Sequence, residues 1–209
     1  MSFNVTELSF PGFVANCYLV VDEESKEAFL VDPGAYGSRQ CEYIKSQGVK
    51  LRYILLTHGH YDHILGVRQF RDEFSAEVVI HTEDEECLRS ALKSLSIMNG
   101  AKAPGIEADI TVSEGDSLPF GEGEIRVMHT PGHTRGSVCY LLSDMIFAGD
   151  TLFKCGVGRT DFPGGSQKQL LASLGRLSSL EGDYTVYPGH ESATTLDYER
   201  RYNSCMRGN

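Results

Sequence analysis

The feature that most constrains this chain is the run Thr57-His58-Gly59-His60-Tyr61-Asp62-His63, in which three imidazoles and a carboxylate fall within six residues. Directly before it lie Tyr53, Ile54, Leu55 and Leu56, a short run of bulky apolar residues bounded by a polar threonine, as in a buried strand. The histidines therefore sit on the loop at a strand's C-terminal end, the edge of an open α/β sheet where ligands and chemistry collect. Crowding four such donors there carries like-charge and desolvation costs, and a bound cation is the simplest offset. A structural reason for three neighbouring imidazoles is hard to find, so the run reads as a metal site.

Three further residues occupy the same kind of position. His133 lies in Thr130-Pro131-Gly132-His133-Thr134, beyond a strand ending at His129; Asp150 follows Ile146-Phe147-Ala148-Gly149; His190 follows Val186-Tyr187-Pro188-Gly189. A glycine precedes each, and glycine lets a backbone turn tightly and approach a ligand closely. Taken singly, each has a plainer reading as a loop histidine or a turn-capping aspartate. Seven ligand-type side chains at strand ends make a far stronger signal together. His81 and His129 are left over and read as structural residues or as supports for a ligand.

Around these positions the chain alternates short strands with helices. Strands are expected at 3–8 and 16–21, joined by an apolar loop at 9–15 that reads equally as a substrate flap or as packed core, and then at 27–31. Asp32-Pro33-Gly34 is a turn signal, with Asp32 as its cap or as a support for a metal ligand. A helix at 39–47 ends at Gly48, and a second, amphipathic one follows the histidine run through Ile64, Leu65, Val67, Phe70 and Phe74. A strand at 77–80, an acidic-fronted helix from Glu83 to about Ile97 and a surface loop at 99–108 come next. Strands at 110–112, 124–129, 137–142 and 145–148 precede a helix at 166–179 opened by a Ser166/Gln169 capping box, a strand at 184–187 and a helix from about Thr195. No repeat, low-complexity linker or charge break marks a boundary. Residues 1–209 therefore read as a single α/β sandwich with helices on its outer faces.

Charge and composition narrow the partners. With 19 Lys and Arg against 29 Asp and Glu the net charge is −10, and no basic cluster is present to meet nucleic acid. The N-terminus lacks the basic start and apolar core of a signal peptide, and no apolar run approaches the roughly 20 residues of a membrane span. Six cysteines without regular spacing read as reduced thiols in a cytoplasmic protein. Nothing in the sequence fixes an oligomeric state.

The set His58, His60, Asp62, His63, then His133, Asp150 and His190 in that order, resembles the metallo-β-lactamase superfamily over nearly the whole chain. Within it, the stretches at 130–137, 148–153, 158–165 and 188–191 are most similar to glyoxalase II-type hydrolases, especially the short bacterial form. The resemblance implies a four-layer αββα sandwich with the site along one edge. It also implies two divalent ions, zinc first, with iron and manganese suited to the same donors. His58, His60 and His133 would hold one ion, Asp62, His63 and His190 the other, and Asp150 would bridge them. Asp62 would also orient the attacking hydroxide.

The implied reaction is hydrolysis of a small-molecule thioester such as S-lactoylglutathione, with Lys154, Arg159 and Tyr187 as candidates to meet an anionic substrate tail. Animal and plant glyoxalase II continue into a helical segment that helps bind glutathione, whereas this chain ends about one helix after His190, so another thiol carrier is a live alternative. The main rival is a persulfide dioxygenase of the same superfamily, with one iron on His58, His133 and Asp150. A nucleic-acid-processing member lacks the basic surface, a secreted β-lactamase lacks the signal peptide, and a closed structural zinc site would use four ligands rather than seven.

Overall fold

The strands at the centre of this chain are apolar on both faces, so each sheet must be covered twice. In the computed structural model, which describes residues 2–12 and 14–207, this is met by two stacked sheets with helices outside each. The first half comprises β1 (Phe3–Leu8), β2 (Cys17–Asp22), β3 (Glu27–Val31), α1 (Ser38–Ser46), β4 (Lys50–Leu55), α2 (Tyr61–Ile64), α3 (Val67–Phe74), β5 (Glu77–His81) and β6 (Ile110–Val112). Its six strands pair in sequence order, antiparallel across β1-β2-β3 and parallel across β3-β4-β5-β6. The second half comprises β7 (Ser117–Phe120), β8 (Gly123–His129), β9 (Val138–Leu142), β10 (Met145–Gly149), β11 (Leu152–Phe153), β12 (Gly156–Val157), α4 (Gln167–Ser178), β13 (Thr185–Pro188), β14 (Thr194–Thr195) and α5 (Leu196–Tyr202). Its main sheet runs β14-β13-β10-β9-β8-β7, and β11 and β12 form a separate hairpin.

Alternation along the strands sorts the core into three layers. Leu19, Leu30, Ile54 and Ile80 face Ile44, Val67 and Phe70 of the first helical layer. Val20, Phe29, Tyr53 and Leu55 face Phe120, Val127, Tyr140 and Phe147 between the sheets. Cys139, Leu141, Ile146 and Ala148 face Leu170, Leu174 and Leu177 of α4 and Leu196 of α5. This is the four-layer αββα sandwich expected from the resemblance. No helix among the described residues is long and apolar enough to cross a membrane. All six cysteines are free, four of them buried.

Several local expectations are corrected. The helix read from Glu83 to about Ile97 is instead a 3-10 segment over Thr82–Leu88, turns, and a second 3-10 segment over Ser96–Asn99. Serines divert its backbone bonding: Ser94 Oγ donates to the Ser90 carbonyl at 2.9 Å, and Lys93 N and Ser96 N donate to the hydroxyls of Ser90 and Ser94. The helix after the histidine run breaks at Leu65-Gly66, where a Cβ on Gly66 would lie 2.3 Å from the Ala35 carbonyl oxygen. β7 escaped notice because Pro119 argues against a strand, and the sheet tolerates it at its edge. β11, β12 and β14, two residues each, carry no periodicity to read. At α4 only half of the capping box forms: Ser166 Oγ accepts from Gln169 N, while Ser166 N donates to the Gly132 carbonyl. In the loop at 9–15, Phe10 packs edge-on against Phe70 in the first helical layer; Phe13 lies outside the described residues.

Candidate metal centre

All seven expected ligands gather at one edge of the sandwich, where strand ends from both sheets meet. His58 and His60 follow β4, Asp62 and His63 sit in α2, His133 lies between β8 and β9, and Asp150 and His190 follow the parallel neighbours β10 and β13. Backbone bonds stitch these loops together: Val138 N donates to Thr57 O at 2.8 Å, Gly189 N to Gly149 O at 2.8 Å, and Asn16 N to Gly189 O at 2.7 Å. Gly189 is required by close approach, since a Cβ there would stand 2.3 Å from Asp150 Oδ1 and 2.7 Å from His63 Cε1.

Hydrogen bonding on the outer side of His58 and His133 sets the tautomers of these two rings. Thr57 Oγ1 donates to Asp32 Oδ2 at 2.6 Å, so it can only accept from His58 Nδ1 at 3.2 Å. His133 Nδ1 donates to the Arg159 carbonyl at 2.7 Å. Both residues are thereby left with a bare Nε2 lone pair, and these two nitrogens face each other at 3.2 Å. His60 Nδ1 completes the triangle, 3.1 Å from His58 Nε2 and 2.8 Å from His133 Nε2. Neutral imidazoles cannot satisfy three such contacts with protons. A tetrahedral cation can, because zinc–nitrogen bonds of about 2.0–2.1 Å put donor atoms about 3.3 Å apart. Burial holds His58 and His133 below the ordinary histidine range and pulls His60 down to about 3, which keeps all three unprotonated.

The second group is built from carboxylates and imidazoles together. His190 Nε2 lies 3.2 Å from Asp62 Oδ2, and His63 Nε2 lies 3.9 Å from the same atom. Asp150 stands between the groups, with Oδ1 3.4 Å from His63 Nε2 and Oδ2 3.5 Å from His133 Nε2 and 3.8 Å from His190 Nε2. Among the described residues, His63 Nε2 and Asp150 Oδ1 are the only buried side-chain polar atoms without a hydrogen-bond partner. Orphaned buried donors and acceptors are costly, and these two point into the same space. Burial opposes a charge on His63, yet Asp32, Asp150 and Asp62 outweigh it and hold this histidine above its ordinary range. Burial likewise pushes Asp62 and Asp150 up, and the surrounding histidines together more than reverse it, His63 and His190 at Asp62 and His63, His133 and His190 at Asp150. The cluster thus demands positive charge at its centre. Donor type and the orphaned atoms alike fit divalent cations on His58, His60 and His133, on His58, His63 and Asp150, and on Asp62, His63 and His190.

Two buried carboxylates brace the ligands from behind. Asp32, in the left-handed region at φ 48°, accepts from Thr57 N at 2.8 Å and from His63 Nδ1 at 2.9 Å as well as from the Thr57 hydroxyl. It thereby supports a ligand in addition to forming the turn. Asp84 accepts from Gly59 N at 2.9 Å, Thr134 Oγ1 at 2.7 Å and Gly136 N at 2.9 Å, tying the His58–His60 loop to the His133 loop. Sequence reading missed Asp84, which lay inside the supposed helix. Its only signal was an acidic residue close to a strand end.

Each of the three candidate substrate contacts meets neighbours of its own. The exposed Arg159 forms a two-pronged pair with Asp161 at 2.7 Å and stacks 3.9 Å over Phe162, whose ring meets His60 edge-on at 5.7 Å. Lys154 lies 5.9 Å from the ring of Tyr198. Tyr187 is half-buried against Phe147 and Tyr18. His81 and His129 stack on each other at 4.1 Å. There His81 Nδ1 accepts from Glu83 N, and His129 Nε2 donates to the Arg135 carbonyl.

Comparison with known proteins agrees with this architecture. The family model of the metallo-beta-lactamase superfamily matches residues 10–190. The hydroxyacylglutathione hydrolase GloC of Haemophilus influenzae is 33% identical over 207 residues, spanning 96% of this chain and 96% of that protein. The mitochondrial persulfide dioxygenase ETHE1 of Mus musculus is 36% identical over 194 residues, spanning 89% of this chain and 69% of that protein. The solved structure of the BLEG-1 B3 metallo-beta-lactamase matches with a TM-score of 0.89 at 34% identity, over 99% of this chain and 100% of that one. With its two-sheet sandwich and its edge of seven convergent ligand side chains, this chain belongs to the metallo-β-lactamase superfamily.

Proposed function

We propose that this chain is a metal-dependent hydrolase that cleaves a small-molecule thioester in the manner of glyoxalase II, with S-lactoylglutathione as the first substrate to try. The observation that carries the reading is Asp150, which turns one carboxylate oxygen toward His63 and the other toward His133 and His190, as a residue shared by two cations would. His58, His60 and His133 would hold the first ion and Asp62, His63 and His190 the second. Zinc is the first expectation, with iron or manganese suited to the same donors. When bound, two such ions would supply a water of near-neutral pKa and a counter-charge for an oxyanion.

The chain's own residues place the reactants. Asp62 accepts a hydrogen bond from the attacking water and aligns it with the carbonyl carbon. Asp32 fixes the ring of His63, and the Arg159 carbonyl fixes that of His133. A carbon–oxygen bond forms and the carbon–sulfur bond breaks; the products are a carboxylate and a thiolate, which departs without a general acid because thiolates are stable near neutrality, and the two protons of the water pass to solvent. The charge of −10 supports a small-molecule substrate over nucleic acid, and the six free cysteines suit a cytoplasmic enzyme.

The similarity to a persulfide dioxygenase supports a second reading, one iron on His58, His133 and Asp150 with oxygen consumed. The closeness of Asp62, His63 and His190 favours the two-cation hydrolase. Free thiol released from S-lactoylglutathione by metal-analysed protein, with stripped protein as control, tests the proposal. Oxygen uptake with a persulfide by protein holding one iron, and no thiol release, would replace it.

A further inference from the structure

A cleft of about 420 Å³ opens directly from His60, and its walls are mainly apolar: Cys87, Leu92, Leu95 and Pro163. The polar groups that reach it are mostly engaged elsewhere. Asp84 accepts its three hydrogen bonds from Gly59, Thr134 and Gly136, and Lys93 pairs with Glu86 at 2.8 Å. Glu83 and Arg135, of opposite charge, are both exposed. One wall is the irregular segment that replaces the expected helix. It is clamped to the metal centre where Tyr61 N, next to His60, donates to the Ser94 carbonyl at 2.8 Å.

Leu95 then takes the left-handed region at φ 63°, a strained conformation for a bulky residue, and is buried in the cleft wall. Leu92 on the same segment is 71% exposed, so a large apolar side chain stands open to solvent at this cleft. A cleft of this size lies in the range of about 300–1,000 Å³ that encloses drug-sized ligands, and a group as small as lactoyl fills little of it. A peptide-like thiol carrier would find its polar partners chiefly at Glu83 and Arg135 and would set its other polar groups against Cys87, Leu92, Leu95 and Pro163.

We propose that this cleft receives the acyl chain of the substrate, and that the chain prefers thioesters whose acyl group is apolar and several carbons longer than lactoyl. This rests on the hydrolase reading and adds to it the class of acyl group. With the carbonyl at the cations, the acyl chain runs past His60 between Leu92, Leu95 and Pro163, and the thiol points the other way.

The test is a series of N-acetylcysteamine thioesters from acetyl to octanoyl, turned over by zinc-loaded full-length protein. The expected result is a rise in kcat/KM of about fourfold per added methylene, the effect of burying one methylene in an apolar site. Leu92→Asp should cut the octanoyl-to-acetyl ratio about tenfold, while Leu171→Asp, on the exposed side of α4, should leave that ratio alone. Rates that are flat or fall with acyl length, rates that follow the length of the thiol instead, or a ratio unmoved by Leu92→Asp would overturn the assignment. Calorimetry with octanamide against butanamide reads the cleft without chemistry. Tighter binding of octanamide with a negative heat-capacity change supports the cleft, and equal binding refutes it. If octanamide binds selectively while no thioester is hydrolysed, the cleft stands and the hydrolase reading falls.

Discussion

The two halves of the metal centre are built on opposite principles. The first half is three imidazoles kept neutral by burial, with the outer nitrogens of His58 and His133 satisfied by the Thr57 hydroxyl and the Arg159 carbonyl. The second half sets His63 among Asp32, Asp62 and Asp150, which raise its affinity for a proton and equally for a cation. The first is therefore preformed for metal at any ordinary pH, while the second must exchange a proton for it. Asp150 lies between the two; behind them Asp84 ties the loops of the first half together, while Asp32 bonds His63 of the second directly and reaches His58 of the first through Thr57.

Breaking the joint should have the largest effect. Asp150→Asn removes the shared charge, and we expect thiol release to be abolished and metal content to fall from two ions to at most one by elemental analysis. Asp62→Asn touches the second half and the attacking water. It should lower kcat by about 10²–10⁴-fold, the usual worth of a positioned proton acceptor, and full activity in this variant would exclude Asp62 from the chemistry.

The supporting carboxylates sharpen the comparison further. Asp32→Asn should weaken binding of the second ion, and Asp84→Asn that of the first, each by about 10–100-fold as is usual for groups that hold a ligand in place. Titrating metal into stripped variants distinguishes them. Equal loss of both ions in either variant would show that the halves are not independent.

The smallest effect is in acid. Because the metal-free His63 binds its proton more tightly than an ordinary histidine, binding of the second ion releases a proton wherever the pH lies below that raised pKa. Its affinity should fall about tenfold per unit as the pH drops through that range. His60, with its pKa pulled down to about 3, carries no proton there, so affinity for the first ion should stay nearly level until the medium is strongly acid. Proton release on metal addition, measured in weakly buffered solution, reads this difference.

Most of this centre was legible in the sequence because its ligands are concentrated: four lie in one run, and the other three each follow an apolar strand and a glycine. The sandwich was legible for a related reason, since strands buried on both faces read as continuous apolar runs. What stayed hidden depends on contacts distant in the chain. Asp84 binds Gly59 across 25 residues and Gly136 across 52, and no local pattern announces such bonds. The segment at 83–97 misled because its acidic start suits a helix, whereas Ser90, Ser94 and Ser96 turn its backbone aside. Of the candidates for an anionic substrate tail, Arg159 reaches a ligand through its carbonyl, which accepts from His133, while Lys154 meets the ring of Tyr198 and Tyr187 packs against Tyr18 and Phe147. The cleft wall was invisible for the same reason as the broken helix, being made by that break.

The central claim is that two cations act together on a thioester. Its most direct measurement is the rate of thiol release from a thioester against equivalents of zinc returned to stripped protein. The account predicts a rate that climbs to a plateau at two equivalents per chain. A plateau at one equivalent, or full release from protein without metal, would contradict it.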